Sequence, residues 1–361
     1  MKVGIVYDRV NKWGGAERLV LSLHELFPDA PLFTSVYSAD DALWARVFPQ
    51  VIPSFLQKLP GGRKRHELLA PLMPMAFETL EFEGYDLVIS VSSEAGKGII
   101  TDPDTKHISY VLTPTRYLWS GYEDYFKNKI FRKMTSPIVT YLKRWDKIAG
   151  QRGDVVVAIS SEVQKRIKKY YGREAEVIFP PVNIEDFSDK DVKVIKPSEK
   201  YFLIVSRLVG YKRIDLAIKA LNEMGSPLII VGVGREERKL KKLAGKNITF
   251  AGYISDEKLG EYYRNAKAVI CPQEEDFGIV MIEAQAHGIP VIAYNKGGSL
   301  DSVIPGKTGV FFDKQEVKSL REAIRRCERM KFNVEFMKNN AKRFSRERFK
   351  NEFLQLIKRV C

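Results

Sequence analysis

The sequence predicts an α/β protein made of two doubly wound parallel-sheet domains. Three observations carry this. Short apolar runs alternate with amphipathic helical stretches, the alternation restarts after a proline-containing polar stretch, and 361 residues suit two domains of about 100–200 residues each. In the first half, strands are expected at Lys2–Tyr7, Leu32–Val36, Tyr85–Val91, His107–Leu112 and Asp154–Ile159. A helix is expected over Ala16–Phe27, where Ala16, Leu19, Val20, Leu23, Leu26 and Phe27 recur at helical spacing. In the second half, the strand candidates are Tyr201–Val205, Leu228–Val231, Ile248–Phe250, Ala268–Cys271 and Pro290–Ala293. Between the halves, Phe179-Pro180-Pro181-Val182 and a polar stretch to Lys200, bearing Pro197, read as a hinge. Ligands of such sheets bind outside the carboxyl ends of the strands, so two of them joined by a hinge imply a cleft.

Composition narrows the partners. With 45% hydrophobic residues the chain has enough apolar material for packed cores, which excludes a disordered protein. Cys271, Cys327 and Cys361 lie far apart with no Cys-x-x-Cys spacing, so a disulfide framework or structural zinc is not expected and a reducing cytosol is. The apolar run Val3–Tyr7 is too short for a secretory leader, and no run has the length of a membrane span. The 59 Lys and Arg against 45 Asp and Glu give a net charge of +14, which raises nucleic acid, an anionic membrane surface or a phosphorylated substrate as partners.

The excess is localised. Tyr125–Lys147 holds seven basic residues and one acid, Asp146, for a net of +6, and Lys318–Cys361 holds fourteen basic residues and five acids, for a net of +9. In the first segment the charges interleave with Ile130, Phe131, Met134, Ile138 and Tyr141, a pattern that suits an anionic lipid interface; solvated surface helices are the plainer alternative. Arg63-Lys64-Arg65 before Leu68-Leu69 is a weaker second candidate. The chain lacks RNA-binding, zinc-finger and helix-turn-helix signatures, which argues against nucleic acid.

Three spots carry chemistry. Gly14-Gly15 follows the first strand by a short loop and opens the first helix, where free N–H groups favour an anion and glycine admits close approach. Arg207 and Lys212 lie between a buried strand and the next helix, two fixed cations suited to a pyrophosphate whose charge grows as a bond breaks. Glu275-Asp276-Phe277-Gly278-Ile279 follows a strand and starts a helix, and Glu283 stands about two turns on, so the two glutamates can touch opposite ends of an elongated ligand.

This last stretch resembles the Glu-x7-Glu motif of the family-4 retaining glycosyltransferases, which have the GT-B fold of two Rossmann-like domains. Gly14-Gly15 resembles that family's N-terminal glycine loop. Arg207 and Lys212 resemble its diphosphate-binding Arg and Lys. Val231-Gly232-Val233-Gly234, Phe250-Ala251-Gly252-Tyr253 and Gly297-Gly298 resemble segments flanking its nucleotide site. The resemblance implies domains at 1–185 and 186–344, with a final helix at 345–361 that packs back on the first. It implies that Glu275 holds donor-sugar hydroxyls, Glu283 the ribose, and the Phe277–Ile279 backbone the sugar and phosphates. Gly15, Gly232 and Tyr253 would complete the donor site, and Glu275, Arg207 and Lys212 would be catalytic. No metal or other cofactor is implied, and Asp102-Pro103-Asp104, an Asp-x-Asp spacing, reads as a turn.

Thr113-Pro114-Thr115-Arg116-Tyr117-Leu118-Trp119 resembles a segment of mannosyltransferases that build surface polysaccharides, with Leu112 where a His usually stands; His107 is too far along the strand to replace it. Gly14, Thr113, Arg116 and Trp119 would then face the acceptor. The expected reaction is transfer, with retention, of a sugar from a nucleotide-diphosphate donor, GDP-mannose first and UDP-glucose or UDP-N-acetylglucosamine as alternatives. The acceptor would be a lipid-linked saccharide or surface-glycan precursor on the cytosolic membrane face. A family member that binds the donor without turnover is a third possibility, supported by Leu112 alone.

Overall fold

A computed structural model describes residues 1–59, 66–126, 128–184 and 200–361. Arg63–Arg65, Lys127 and the hinge residue Pro197 lie outside them. The chain forms two compact units, Met1–Pro181 with Arg346–Cys361, and Val182–Ser345.

Unit 1 runs β1 (Val3–Tyr7), α1 (Gly15–His24), β2 (Leu32–Thr34), β3 (Val51–Pro53), α2 (Met73–Glu78), β4 (Leu87–Ser92), β5 (Lys106–Val111), α3 (Tyr122–Tyr125), α4 (Lys129–Ala149), β6 (Val155–Ala158), α5 (Ser161–Tyr171) and β7 (Glu176–Val177). Its seven strands are parallel, in the order β3-β2-β1-β4-β5-β6-β7. Every residue of β1 and β4 is buried, because helices cover both faces of a parallel sheet; this is why those strands read as unbroken apolar runs. Sequence patterning gave no sign of β3 or β7, which are edge strands of three and two residues. Pro53 sits in β3, at the sheet edge, where a missing N–H is tolerated.

Unit 2 runs β8 (Tyr201–Val205), α6 (Ile214–Met224), β9 (Leu228–Val231), α7 (Glu237–Leu243), β10 (Ile248–Gly252), α8 (Asp256–Arg264), β11 (Ala266–Cys271), α9 (Ile279–Ala286), β12 (Val291–Tyr294), α10 (Ser299–Ser302), β13 (Gly309–Phe312), α11 (Val317–Arg329) and α12 (Val334–Lys342). Its six parallel strands take the order β10-β9-β8-β11-β12-β13. Phe202, Ile204 and Ile270 of the sheet meet Ile214, Ala217 and Leu221 of α6 and Leu320 and Ile324 of α11 in one core. Both units therefore have the doubly wound parallel architecture that the alternating pattern predicts.

The final helix, α13 (Arg346–Val360), belongs to unit 1. Phe349, Phe353 and Leu356 join Ile5, Leu19 and Leu23 in its core, and Arg348 donates to the Phe179 carbonyl at 2.8 Å.

Helix α4 holds most of the first basic segment. It starts on Asn128, whose side chain accepts the N–H groups of Ile130 and Phe131, and continues through Pro137. Pro137 and Lys133 are exposed, so water can serve the Lys133 carbonyl that loses its helical partner. Val139, Leu142, Asp146 and Ala149 face inward. Ile130, Met134, Ile138, Tyr141 and Ile148 share another face and point to solvent, Ile130 and Met134 being 73% and 74% exposed.

Candidate active site

In unit 2 the winding reverses between β8 and β11, the place where doubly wound sheets hold ligands beyond the strands' carboxyl ends. The segment after β8 carries Arg207 and Lys212; the segment after β11 carries Glu275. Lys212 Nζ and the Glu275 carboxylate form an ion pair, their side chains 12% and 19% exposed. Gln273 Nε2 donates to the same Glu275 oxygen at 2.6 Å. Burial opposes the charge on Lys212, but Glu275 outweighs it and holds the ammonium pKa above its ordinary value. Burial, with Glu275 next, pushes the Cys271 thiol up to about 12, so that thiol is inert. Arg207 is exposed and donates to the Tyr211 hydroxyl at 3.0 Å.

Glycines shape the surrounding loops. The Gly298 N–H donates to the Glu275 carbonyl at 2.8 Å, and a Cβ on Gly298 would lie 2.4 Å from Phe277 Cα. Phe277 is buried against Phe344, and Gly278 enters α9 in the left-handed region at φ +94°. Gly297-Gly298 is thus the floor under the Glu275–Phe277 loop. Gly298→Ala should overpack that floor by about 1–3 kcal/mol and displace Glu275. The expected result is a lower melting temperature with secondary structure retained, read by thermal melts and circular dichroism. Gly232, at φ +127°, would bring a Cβ within 2.0 Å of the Ser206 carbonyl, which makes it a crossing point of the β8 and β9 exits. Tyr253, beyond β10, is exposed. Glu283, in α9, is buried and accepts from the Tyr263 hydroxyl at 2.7 Å.

In unit 1 the corresponding reversal lies between β1 and β4. Asp8, just after β1, is buried and accepts five hydrogen bonds: Ser92 Oγ at 2.9 Å, Ser93 N at 2.6 Å, Ser93 Oγ at 3.2 Å, Glu94 N at 3.0 Å and Gly96 N at 2.8 Å. Arg9 and Glu94 form an ion pair beside it. Gly14 precedes α1 and Gly15 is its first residue, two positions before Glu17, which accepts from the Tyr7 hydroxyl at 2.6 Å.

The Thr113–Trp119 segment is held from behind by Asp146 of α4. Asp146 pairs with Lys97 at 2.6 Å, both 1% exposed, and accepts from Thr115 Oγ1 at 2.6 Å, Trp119 Nε1 at 2.7 Å and the Tyr171 hydroxyl at 2.7 Å. The Trp119 ring stacks on Tyr170 with centroids 5.0 Å apart, so it is engaged inside unit 1. Thr113 is buried, Arg116 is half-buried, and Leu112 lies in the hydrophobic core. His107 is buried with Nε2 2.8 Å from Ser90 Oγ, and burial lowers its pKa to about 4, a structural position. Asp102 and Asp104 stand in a turn before β5. Among the described residues no group of three or more His, Cys, Asp or Glu could hold a metal ion.

Sequence reading missed Asp8, Arg9, Glu94 and the role of Asp146. The first three act across more than eighty residues of chain. Asp146 did leave a signal: it falls in helical register with Val139, Leu142 and Ala149, the buried face.

Residues 185–344 match the family model described as glycosyl transferases group 1. A GDP-mannose-dependent alpha-(1-6)-phosphatidylinositol monomannoside mannosyltransferase of Mycobacterium tuberculosis is 30% identical over 202 residues, covering 48% of this chain and 52% of that protein. A D-inositol 3-phosphate glycosyltransferase of Streptomyces avermitilis is 28% identical over 186 residues, covering 43% and 40%. The chain spans about half the length of these curated relatives. Among solved structures, sucrose-phosphate synthase from Thermosynechococcus elongatus superposes with a TM-score of 0.75 at 18% identity, covering 100% of this chain and 99% of that one. Anabaena HepE in complex with UDP-glucose gives 0.70 at 18% identity over the whole of both chains. At these identities the structural likeness shows the fold, GT-B.

Proposed function

We propose that this chain, whose residues 185–344 match the family model described as glycosyl transferases group 1, moves a hexosyl unit from a nucleotide-diphosphate sugar to a lipid-linked or surface-glycan acceptor. GDP-mannose is the first expected donor, in keeping with the mannosyltransferases the chain resembles. The observation that carries the reading is the Lys212–Glu275 pair at the winding reversal of the matched domain. A bound donor would exchange that pair for its own charges and hydroxyls: Lys212 and Arg207 on the diphosphate, Glu275 on sugar hydroxyls. Within unit 2 the Phe277–Ile279 backbone, Gly232 and Tyr253 would line the remainder, with Glu283 toward the ribose. Gly14, Thr113, Arg116 and Trp119 belong to the acceptor side.

The reaction is same-face substitution with retention. The acceptor oxygen bonds to the anomeric carbon, the bond from that carbon to the phosphate oxygen breaks, and the acceptor proton passes to the leaving phosphate. Leu112 can neither orient nor move a proton, which suits a route in which the leaving group is the base. Two side-chain cations supply the charge a metal would otherwise supply, so no metal is required. Calorimetric titration with GDP-mannose, UDP-glucose and UDP-N-acetylglucosamine in the presence of EDTA tests this: one donor should bind, and its affinity should fall in Lys212→Ala. A UDP-sugar is the second reading, favoured by the likeness to HepE bound to UDP-glucose.

The acceptor would lie in an anionic membrane surface on the cytosolic side. The exposed Ile130, Met134, Ile138, Tyr141 and Ile148 of α4, flanked by exposed Lys129, Lys133, Arg144 and Lys147, support this. No described helix is long and apolar enough to cross a membrane. Ile130→Asp with Met134→Asp should lower affinity for phosphatidylglycerol-containing vesicles by about tenfold or more. Flotation unchanged by the double substitution would remove α4 as the docking face, and salt-dependent DNA binding in its place would revive the nucleic-acid alternative.

A further inference from the structure

The two units share more than a strand order. In unit 2 the segment after the first strand supplies Lys212, the segment after the fourth supplies Glu275, and the two pair. In unit 1 the segment after the first strand supplies Arg9, the segment after the fourth supplies Glu94, and these pair as well. Each pair stands where its own sheet reverses winding, at the carboxyl ends of adjacent strands.

We propose that Arg9 and Glu94 form a sugar subsite in unit 1 that takes the hydroxyls of a neutral pyranoside, the counterpart of the sugar contact at Glu275. Its role as an acceptor subsite rests on the glycosyl-transfer reading above; its binding chemistry does not.

The pair is not needed to close the loop around it. Asp8 already ties the end of β1 to residues 92–96 through five hydrogen bonds and is buried beneath. Arg9 and Glu94 keep 16% and 21% side-chain exposure, so the pair stays partly open to solvent. A carboxylate accepts from two neighbouring hydroxyls, while a guanidinium donates in its plane to hydroxyl or ring oxygens. The local charge selects the class. Glu94 and Asp8 both act on the one Arg9 guanidinium, which therefore carries no uncompensated positive charge to draw a phosphate. Tyr117, after β5, adds a donor to the same wall. Burial, and then the Glu94 charge, raise its pKa well above the ordinary value, so its hydroxyl keeps its proton.

The test is saturation-transfer NMR on the full chain with methyl α-mannopyranoside, methyl α-glucopyranoside and mannose 6-phosphate as probes. Wild type, Glu94→Gln, and the double variant Arg9→Gln with Glu94→Gln would be compared, the double variant retaining the neutrality of the pair; thermal melts verify folding. A neutral pyranoside should bind wild type and weaken about tenfold in both variants, while affinity for the sugar nucleotide stays within about twofold. Pyranoside binding that survives the double variant, preference for mannose 6-phosphate, or no pyranoside binding by wild type overturns the subsite. Pyranoside binding lost in the variants of a chain that binds no sugar nucleotide would support the subsite while removing the donor reading.

Discussion

Lys212→Ala is expected to lower the rate of sugar transfer or donor hydrolysis by about 10²–10³-fold, the range found when one preorganised charge-stabilising group is removed from an active site. The reason lies in how Lys212 is held. It leaves the turn after β8 beside a buried strand, its ammonium is kept charged against desolvation by Glu275, and Glu275 is fixed in turn by Gln273 and by the Gly298 N–H on its carbonyl. A cation fixed in this way meets growing diphosphate charge without having to reorganise. Arg207 cannot replace it, being exposed and engaged with Tyr211. The substitution also leaves Glu275, only 19% exposed, without its cation, which should lower stability by about 1–3 kcal/mol. Lys212→Ala with Glu275→Ala should therefore melt higher than the sum of the two single losses allows, while recovering no activity. Thermal melts and a donor-hydrolysis assay read both parts.

Asp146→Ala should be the most destabilising substitution in unit 1, by about 3–5 kcal/mol, the range for breaking a buried ion pair on one side. Lys97, 1% exposed, would lose its carboxylate. Thr115, Trp119 and Tyr171 would lose a shared acceptor, and the Tyr171 hydroxyl, its pKa raised by burial and then by Asp146, remains a donor in need of a partner. The Thr113–Trp119 loop should loosen with it. Asp146→Asn keeps an acceptor oxygen for part of the set and should cost less. Denaturant unfolding measures both variants; an Asp146→Ala chain within about 1 kcal/mol of wild type would contradict the anchoring role.

These two residues show what the sequence made legible. Lys212 and Glu275 were readable because each lies in a recognisable strand-to-helix passage, and because parallel strands buried on both faces stand out as β1, β4, β8 and β11 do. Edge strands of two or three residues leave no periodicity to detect, which is why β3 and β7 were absent from the reading. Asp146 was counted as the lone acid in a basic stretch, and charge counting conceals that it is 1% exposed. Its partners, Lys97, Thr115, Trp119 and Tyr171, converge only after four elements pack. Arg9 and Glu94 were hidden for the same reason: their pairing is a product of sheet order. Pro137 shows how context decides: a proline inside a helix removes one backbone hydrogen bond, and α4 continues past it on its solvent side.

The central claim is transfer from a sugar nucleotide at the Lys212–Glu275 site, and proton NMR of the wild-type chain incubated with GDP-mannose, UDP-glucose and UDP-N-acetylglucosamine in turn tests it most directly. The account predicts that one donor releases or transfers its sugar, that the first-formed product carries the α configuration of the donor, and that Lys212→Ala and Glu275→Ala abolish the signal. Inertness toward all three donors, a β-configured product, or full turnover in both variants would contradict it.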